Sequence, residues 1–78
     1  MLTEKILLSE IHEELASAQE MHEPMNSLHE AYAVILEEVE EFWEQVRMKS
    51  GCRDLQQVKR ELIQIAAMAC RTILDMKL

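Results

Sequence analysis

Residues 62–70 read Leu-Ile-Gln-Ile-Ala-Ala-Met-Ala-Cys and place apolar side chains on nearly every side of a helix. A helix that is apolar all round must be buried all round. Three helices cannot enclose one of their own number, so we expect a second copy of the chain to supply the missing wall. The small residues Ala66, Ala67 and Ala69 permit close approach of another helix. The pattern therefore predicts an all-α, three-helix chain that oligomerises into a four-helix bundle.

A first helix is predicted at the N-terminus, from about Thr3 to His22. Thr3 is a suitable N-cap residue, and Pro24 stops the helix soon after its predicted end. The apolar residues of this segment recur at intervals of three and four and form one stripe, made of Ile6, Leu7, Ile11, Leu15 and Ala18.

Two capping boxes mark the starts of the second and third helices. Ser27 and Glu30 have the spacing of the first box, and Asp54 and Gln57 have that of the second. The second helix is predicted to fray and end by Gly51, because glycine is the usual residue just after a helix. The third helix is predicted to run from the second box to the C-terminus.

Composition agrees with one all-α domain over residues 1–78. A chain of 78 residues has room for a single domain, and it contains only one Gly and one Pro for tight turns. A lone domain of this size is marginally stable. The hydrophobic share of 49% is high for so small a body, which again favours self-association.

The net charge of −7 arises from 15 acidic and 8 basic residues. This balance argues against a nucleic-acid polymer as partner, because such binders need a basic surface. It suits a site for divalent cations, and it equally suits an acidic surface that only keeps the protein in solution. No apolar run approaches the roughly 20 residues that span a bilayer, so no membrane partner is expected. Cys52 and Cys70 are isolated thiols, which is typical of a cytoplasmic protein.

The glutamates of the second helix divide into two groups by their angle around the helix axis. At about 100° per residue, Glu38 falls inside the apolar stripe and Glu41 at its edge. The other three, Glu37, Glu40 and Glu44, face away from the stripe, towards solvent.

The same angular argument selects Glu61 and Gln64 on the third helix, because both interrupt its apolar surface. A buried carboxylate needs a cation, a hydrogen-bond donor or a proton. If the two helices pack against each other, their side-chain oxygens form a cage. Magnesium prefers such hard oxygen ligands and keeps several waters, one of which can act as nucleophile.

Structural roles are the alternative for these glutamates. They can pair across an interface with Lys59, Arg60 or Arg71 and fix its register. A di-iron bundle is disfavoured, because neither Glu41 nor Glu61 is followed by a histidine three residues later.

Two segments of the chain resemble the MazG-like branch of the all-α NTP pyrophosphohydrolases: His-Glu-Ala-Tyr-Ala-Val-Ile-Leu-Glu-Glu-Val-Glu-Glu-Phe-Trp at 29–43, and Arg-Glu-Leu-Ile-Gln-Ile-Ala-Ala-Met-Ala at 60–69. The family pattern is Glu-Glu-x-x-Glu on one helix and Glu-x-x-Asp on the next. Glu37, Glu38 and Glu41 match the first part, and Glu61 matches the start of the second. Gln64 stands where the family usually has Asp.

The resemblance implies a MazG-like domain that cuts (d)NTP to (d)NMP and pyrophosphate with Mg²⁺, or with Mn²⁺ in its place. It implies that Glu38, Glu41 and Glu61 are catalytic metal ligands, with Gln64 as a weaker fourth ligand. The implied assembly is a homodimer or homotetramer. Two alternatives stay open: a relative that binds nucleotide without cleaving it, and a non-catalytic acidic helical interaction module.

Four further residues are candidates for substrate contacts, namely Glu37, Trp43, Lys49 and Asp75. Trp43 and Tyr32 can stack on a nucleobase, but their place on the apolar face of the second helix favours the core. Lys49 lies near the break between the second and third helices, where it can contact phosphate. Asp75 lies far along the third helix, on a face similar to that of the other candidate ligands.

Overall fold

The computed structural model describes all 78 residues and contains three α-helices, one short 3-10 helix and no strand. The helices are α1 (Glu4–Met21), α2 (Leu28–Val46) and α3 (Leu55–Asp75), and the 3-10 turn is Ser50–Cys52. The predicted all-α class is confirmed. None of these helices combines the length and the apolar character that crossing a membrane requires.

Each α-helix begins at the N-cap residue that the sequence predicts. Thr3 Oγ1 and Ser27 Oγ each accept the backbone N–H three residues ahead, at 3.2 and 3.0 Å. Asp54 Oδ1 accepts the N–H groups two and three residues ahead, at 3.0 and 3.2 Å. In a capping box the Glu30 carboxylate would accept the N–H of the N-cap residue, Ser27. In the structure it accepts the N–H of Asn26 instead, at 2.9 Å. These bonds satisfy N–H groups that the helices leave unpaired.

The predicted end of α2 at Gly51 is wrong. The helix ends at Val46, and Gly51 lies in the 3-10 turn without a positive φ. A side chain does the capping instead. Arg53 donates from Nε to the carbonyl of Gln45 at 3.1 Å and from Nη2 to that of Val46 at 2.6 Å. A guanidinium at a helix C-terminus satisfies carbonyls that have no partner within the helix.

The third helix is the centre of the fold. It packs against both α1 and α2, whereas the backbones of α1 and α2 do not approach each other closely. The buried apolar core is small and consists of Ala18, Met25, Ala31, Ala67 and Met68. One chain therefore forms a layer of helices, with α3 between two neighbours.

Much apolar surface stays exposed in the single chain. In the apolar segment 62–70, Ala67 and Met68 are buried but Leu62 is 46% exposed. Tyr32 and Trp43 are 68% and 56% exposed, so the expectation that they lie in the core is wrong for one chain. They belong to an exposed row on α2, here called the α2 stripe, formed by Leu28, Tyr32, Leu36, Val39, Trp43 and Val46. The stripe lacks a partner because α2 packs on α3 alone.

The connection between α1 and α2 is held on the C-terminal end of α3. Met25 is buried in the core, and its N–H donates to Asp75 Oδ2 at 3.0 Å. Arg71 donates from Nη2 to the carbonyl of Glu23 at 2.9 Å and pairs through Nε with Asp75 Oδ2 at 3.4 Å. Both charged side chains are nearly buried, so they form a polar latch that fixes the path of residues 22–27.

Candidate metal centre

Three glutamates from two helices meet at the α2–α3 contact. Glu38 and Glu41 lie one turn apart on α2, and Glu61 lies on the facing side of α3. Each offers a carboxylate oxygen, and these oxygens lie within 4.8 Å of one another. We call this group the carboxylate cluster. Its burial is graded, since Glu61 is 2% exposed, Glu38 is half-buried and Glu41 is exposed.

The cluster has no cationic partner within the chain. The three salt bridges are Lys59–Glu10 at 3.1 Å, Arg71–Asp75 at 3.4 Å and Arg47–Glu44 at 3.5 Å. Arg60 donates instead to the side chain of Gln57. The arginines and lysine that the structural alternative invokes are therefore engaged elsewhere in the isolated chain. Pairing across an interface between copies stays a prediction.

Two glutamines from α3 supply hydrogen bonds to the cluster. Gln57 Nε2 donates to Glu61 Oε1. The amide of Gln64 is assigned with its nitrogen towards the carboxylates, where it donates to Glu38 Oε2 at 2.7 Å and to Glu61 Oε2 at 3.3 Å. Sequence reasoning treated Gln57 only as a capping residue. Its position four residues before Glu61 on the same helix face is the signal that identifies it.

The surroundings of the cluster raise the pKa values of Glu38 and Glu41. Burial raises the pKa of Glu38 to about 7, and repulsion from Glu41 and Glu61 adds to the rise. The pKa of Glu41 is also raised, chiefly by a side-chain hydrogen bond with Glu61. Carboxylates this close to one another cannot all be charged without a proton or a cation among them. A cation that binds among these carboxylates would therefore displace a proton from the cluster.

The other predicted site residues lie in different surroundings. Glu37 is exposed, as are Glu40 and Glu44, in agreement with the angular argument. Trp43 is exposed on the α2 stripe, and Lys49 is exposed just before the 3-10 turn. Asp75 belongs to the latch with Arg71 and Met25 and lies outside the carboxylate cluster.

A groove of about 530 Å³ opens beside the cluster, and Glu37, Glu38 and Gln64 form part of its wall. It lies between α1 and α2, whose backbones stay apart, and has α3 as its floor. Ligand sites commonly have volumes of about 300–1,000 Å³. The cluster therefore adjoins a space large enough for a small molecule.

Comparison with known protein families, with curated proteins and with solved structures finds no match to this chain. The assignment of a function to the cluster and the groove consequently depends on their chemistry and on the sequence pattern.

Proposed function

We propose that the chain is a MazG-like, Mg²⁺-dependent nucleoside triphosphate pyrophosphohydrolase that converts (d)NTP to (d)NMP and pyrophosphate. The observation that carries the proposal is the meeting of Glu38, Glu41 and Glu61 without a cationic partner. A buried carboxylate such as Glu61, which is 2% exposed, needs compensation that two glutamine amides supply only in part.

The residues fit a hard divalent cation. Carboxylate oxygens on two packed helices are the ligands that Mg²⁺ prefers, and Glu38, Glu41 and Glu61 would hold it. Gln64 would join them through its amide oxygen after a half-turn of the amide group. When bound, the cation neutralises phosphate charge and lowers the pKa of a coordinated water.

The chain's own residues have distinct tasks in this reaction, which adds one water across the α–β phosphoanhydride bond and releases pyrophosphate. Glu61 is fixed in place by Gln57 and by its burial between the helices. Glu41 is the exposed member of the cluster, so it is the carboxylate that can exchange a proton with bulk solvent. Glu38 lines the groove and thereby links the cluster to the space for substrate.

The proposal includes self-association as a homodimer or homotetramer built on a four-helix bundle. The α2 stripe and the exposed part of α3, Leu62 among it, are apolar surfaces that a second copy would cover. Exposed apolar patches on a protein surface commonly mark sites of interaction with another chain. We place the protein in the cytoplasm, where its two free cysteines would stay reduced.

One observation favours a second candidate function, namely nucleotide binding without cleavage. Gln64 is neutral and donates to Glu38 and Glu61, where the family pattern has an aspartate. A site with one charge fewer holds a cation more weakly. In this case the protein would bind a triphosphate together with Mg²⁺ and release no pyrophosphate.

Product analysis tests the proposal. The purified protein is incubated with each ribo- and deoxyribonucleoside triphosphate, with Mg²⁺ or with chelator, and the products are separated by ion-exchange chromatography. We expect monophosphate and pyrophosphate only with the cation. Glu61→Gln should abolish turnover, whereas Glu40→Gln, an exposed neighbour outside the cluster, should retain it. Absence of turnover across the panel, with Mg²⁺ and with Mn²⁺, would refute the hydrolase and favour the binding-only function or an interaction module.

A further inference from the structure

Arg60 is next in the chain to Glu61, yet it forms no salt bridge with the carboxylate cluster. Both of its hydrogen bonds go to one atom, the side-chain oxygen of Gln57, from Nε at 3.2 Å and from Nη2 at 2.6 Å. Gln57 Nε2 in turn donates to Glu61 Oε1. We call these three residues of α3 the α3 row. It leads from solvent to a buried carboxylate, since Arg60 is exposed, Gln57 is half-buried and Glu61 is buried.

The two neighbours of Gln57 determine which way its amide points. A guanidinium can only donate hydrogen bonds, and an ionised carboxylate can only accept them. The amide satisfies both neighbours only when its oxygen faces Arg60 and its nitrogen faces Glu61. A half-turn of the amide would point its oxygen at the carboxylate, where two acceptors repel each other. Arg60 therefore keeps the amide of Gln57 in the orientation that donates to Glu61.

The side chain of Gln57 is free for this contact because another residue does its capping work. The spacing of Asp54 and Gln57 predicts that the Gln57 side chain turns back to the N–H of Asp54. In the structure that N–H donates to Gln45 Oε1 on α2, at 3.1 Å. The capping box at the start of α3 is thus completed from α2, and the Gln57 amide bonds Glu61 instead.

The other amide that reaches Glu61 belongs to Gln64 and is held less firmly. It donates to Glu61 Oε2 at 3.3 Å and to Glu38 Oε2 at 2.7 Å. Because Gln64 is itself a proposed ligand, its amide would turn to offer its oxygen to a cation. The bond from Gln57 is then the one that keeps Glu61 in place. Loss of a partner that orients a metal ligand commonly costs about 10–100-fold in metal affinity.

We propose that Arg60 and Gln57 are positioning residues for Glu61, and that Arg60 strengthens the binding of a divalent cation although it is itself a cation. The inference rests on the proposed function, since it takes Glu61 as a metal ligand. Repulsion between two positive charges predicts the opposite sign for Arg60. Orientation of the ligand and simple electrostatics are therefore distinguished by the direction in which a substitution changes the affinity.

The affinity for Mn²⁺ of the full chain, measured from the signal of the free ion in electron paramagnetic resonance, tests the inference without any turnover. Arg60→Met keeps the length of the side chain but removes its charge and its donors. It should weaken Mn²⁺ binding by about tenfold. Gln57→Met should weaken it by about 10–100-fold, whereas Gln56→Met, at an exposed neighbour outside the α3 row, should leave it unchanged.

The double variant shows whether Arg60 acts through Gln57. In the Gln57→Met background, Arg60→Met should cause no further loss of Mn²⁺ affinity, because the amide that it orients is gone. Arg60→Lys keeps the charge without the forked donors, so it should recover only part of the affinity. Equal helix content of all variants in circular dichroism excludes a loss of folding as the cause.

The metal-free chain, labelled with ¹⁵N at the glutamine side chains, gives a spectroscopic signature of the same contacts. Arg60→Met and Glu61→Gln should each shift the side-chain amide resonances of Gln57 and leave those of Gln56 in place. Unshifted Gln57 resonances in both variants would overturn the α3 row as a set of contacts.

The outcomes for Mn²⁺ separate this inference from the metal centre itself. Unchanged or tighter binding by Arg60→Met, while the unmodified chain binds the ion, would overturn the inference and leave the metal centre standing. A further loss when Arg60→Met is added to Gln57→Met would also overturn it, because Arg60 would then act without Gln57. If the unmodified chain binds no Mn²⁺, the metal centre is refuted and the inference falls with it.

Discussion

Removal of one ionisable group from the carboxylate cluster should change how the stability of the metal-free protein depends on pH. Burial, followed by repulsion from Glu41 and Glu61, raises the pKa of Glu38 from 4.5 to about 7. The folded state then binds this proton more tightly than the unfolded state does. The stabilisation from protonated Glu38 is fully present below pH 4.5 and is lost as the pH rises through 7. Glu38→Gln cannot ionise and should escape that loss.

The size of the effect follows from the pKa and from the exposure of the side chain. Without solvent screening, the change in pKa corresponds to about 3 kcal/mol between pH 4.5 and pH 8. Glu38 is only half-buried, so screening by water reduces this to about 1 kcal/mol. For a domain of this length, about 1 kcal/mol displaces the unfolding temperature by about 4–8 °C.

The assay is thermal unfolding followed by circular dichroism, with chelator present, at pH 5 and pH 8. The unmodified chain should lose about 4–8 °C more than Glu38→Gln between the two pH values. Glu40→Gln, an exposed glutamate of the same helix, should behave as the unmodified chain. An equal pH dependence in the unmodified chain and Glu38→Gln would refute the account of the cluster's electrostatics.

Three further substitutions test the latch, the α2 stripe and the ligand set. Asp75→Asn removes the charge that pairs with a nearly buried guanidinium and should cost about 3 kcal/mol in urea unfolding, so an unchanged midpoint would dismiss the latch. Trp43→Ala should weaken self-association by about 10–100-fold in sedimentation experiments, and unaltered sedimentation would exclude the α2 stripe from the interface. Gln64→Asp should tighten Mg²⁺ binding by about tenfold in calorimetry, and an unchanged affinity would place this side chain outside the ligand set.

Local features of the fold were predictable from the sequence because short-range chemistry decides them. Thr3, Ser27 and Asp54 cap their helices as expected, since a side-chain oxygen at the N-cap needs only the N–H groups of the next turn. The end of α2 was not predictable in this way. Its capping group is Arg53, seven residues beyond Val46, and the path of the intervening turn brings it back.

The carboxylate cluster was predictable as a juxtaposition, because helix periodicity places Glu38 and Glu61 on apolar faces that must pack together. Its role as a set of metal ligands stays a prediction. The apolar periodicity alone did not show which helix faces are buried within one chain and which stay exposed. Tyr32 and Trp43 share their apolar character with the core, but α2 has only one neighbouring helix.

The latch and the groove depend on contacts between distant parts of the chain. Asp75 meets the N–H of Met25 across 50 positions, and no local pattern signals that bond. The groove exists because α1 and α2 pack on α3 with their backbones apart. Such features follow from the arrangement of helices in space, which amphipathic patterns restrict only in part.

Manganese binding tests the central claim most directly, because it reports on the carboxylate cluster whether or not a substrate is turned over. The measurement is electron paramagnetic resonance of free Mn²⁺ titrated with the protein, competed with Mg²⁺. We expect the unmodified chain and Glu40→Gln to bind the ion and to release it to Mg²⁺, and Glu61→Gln to bind at least about tenfold more weakly. A free Mn²⁺ signal that the protein does not diminish, or equal binding by Glu61→Gln, would contradict the metal centre.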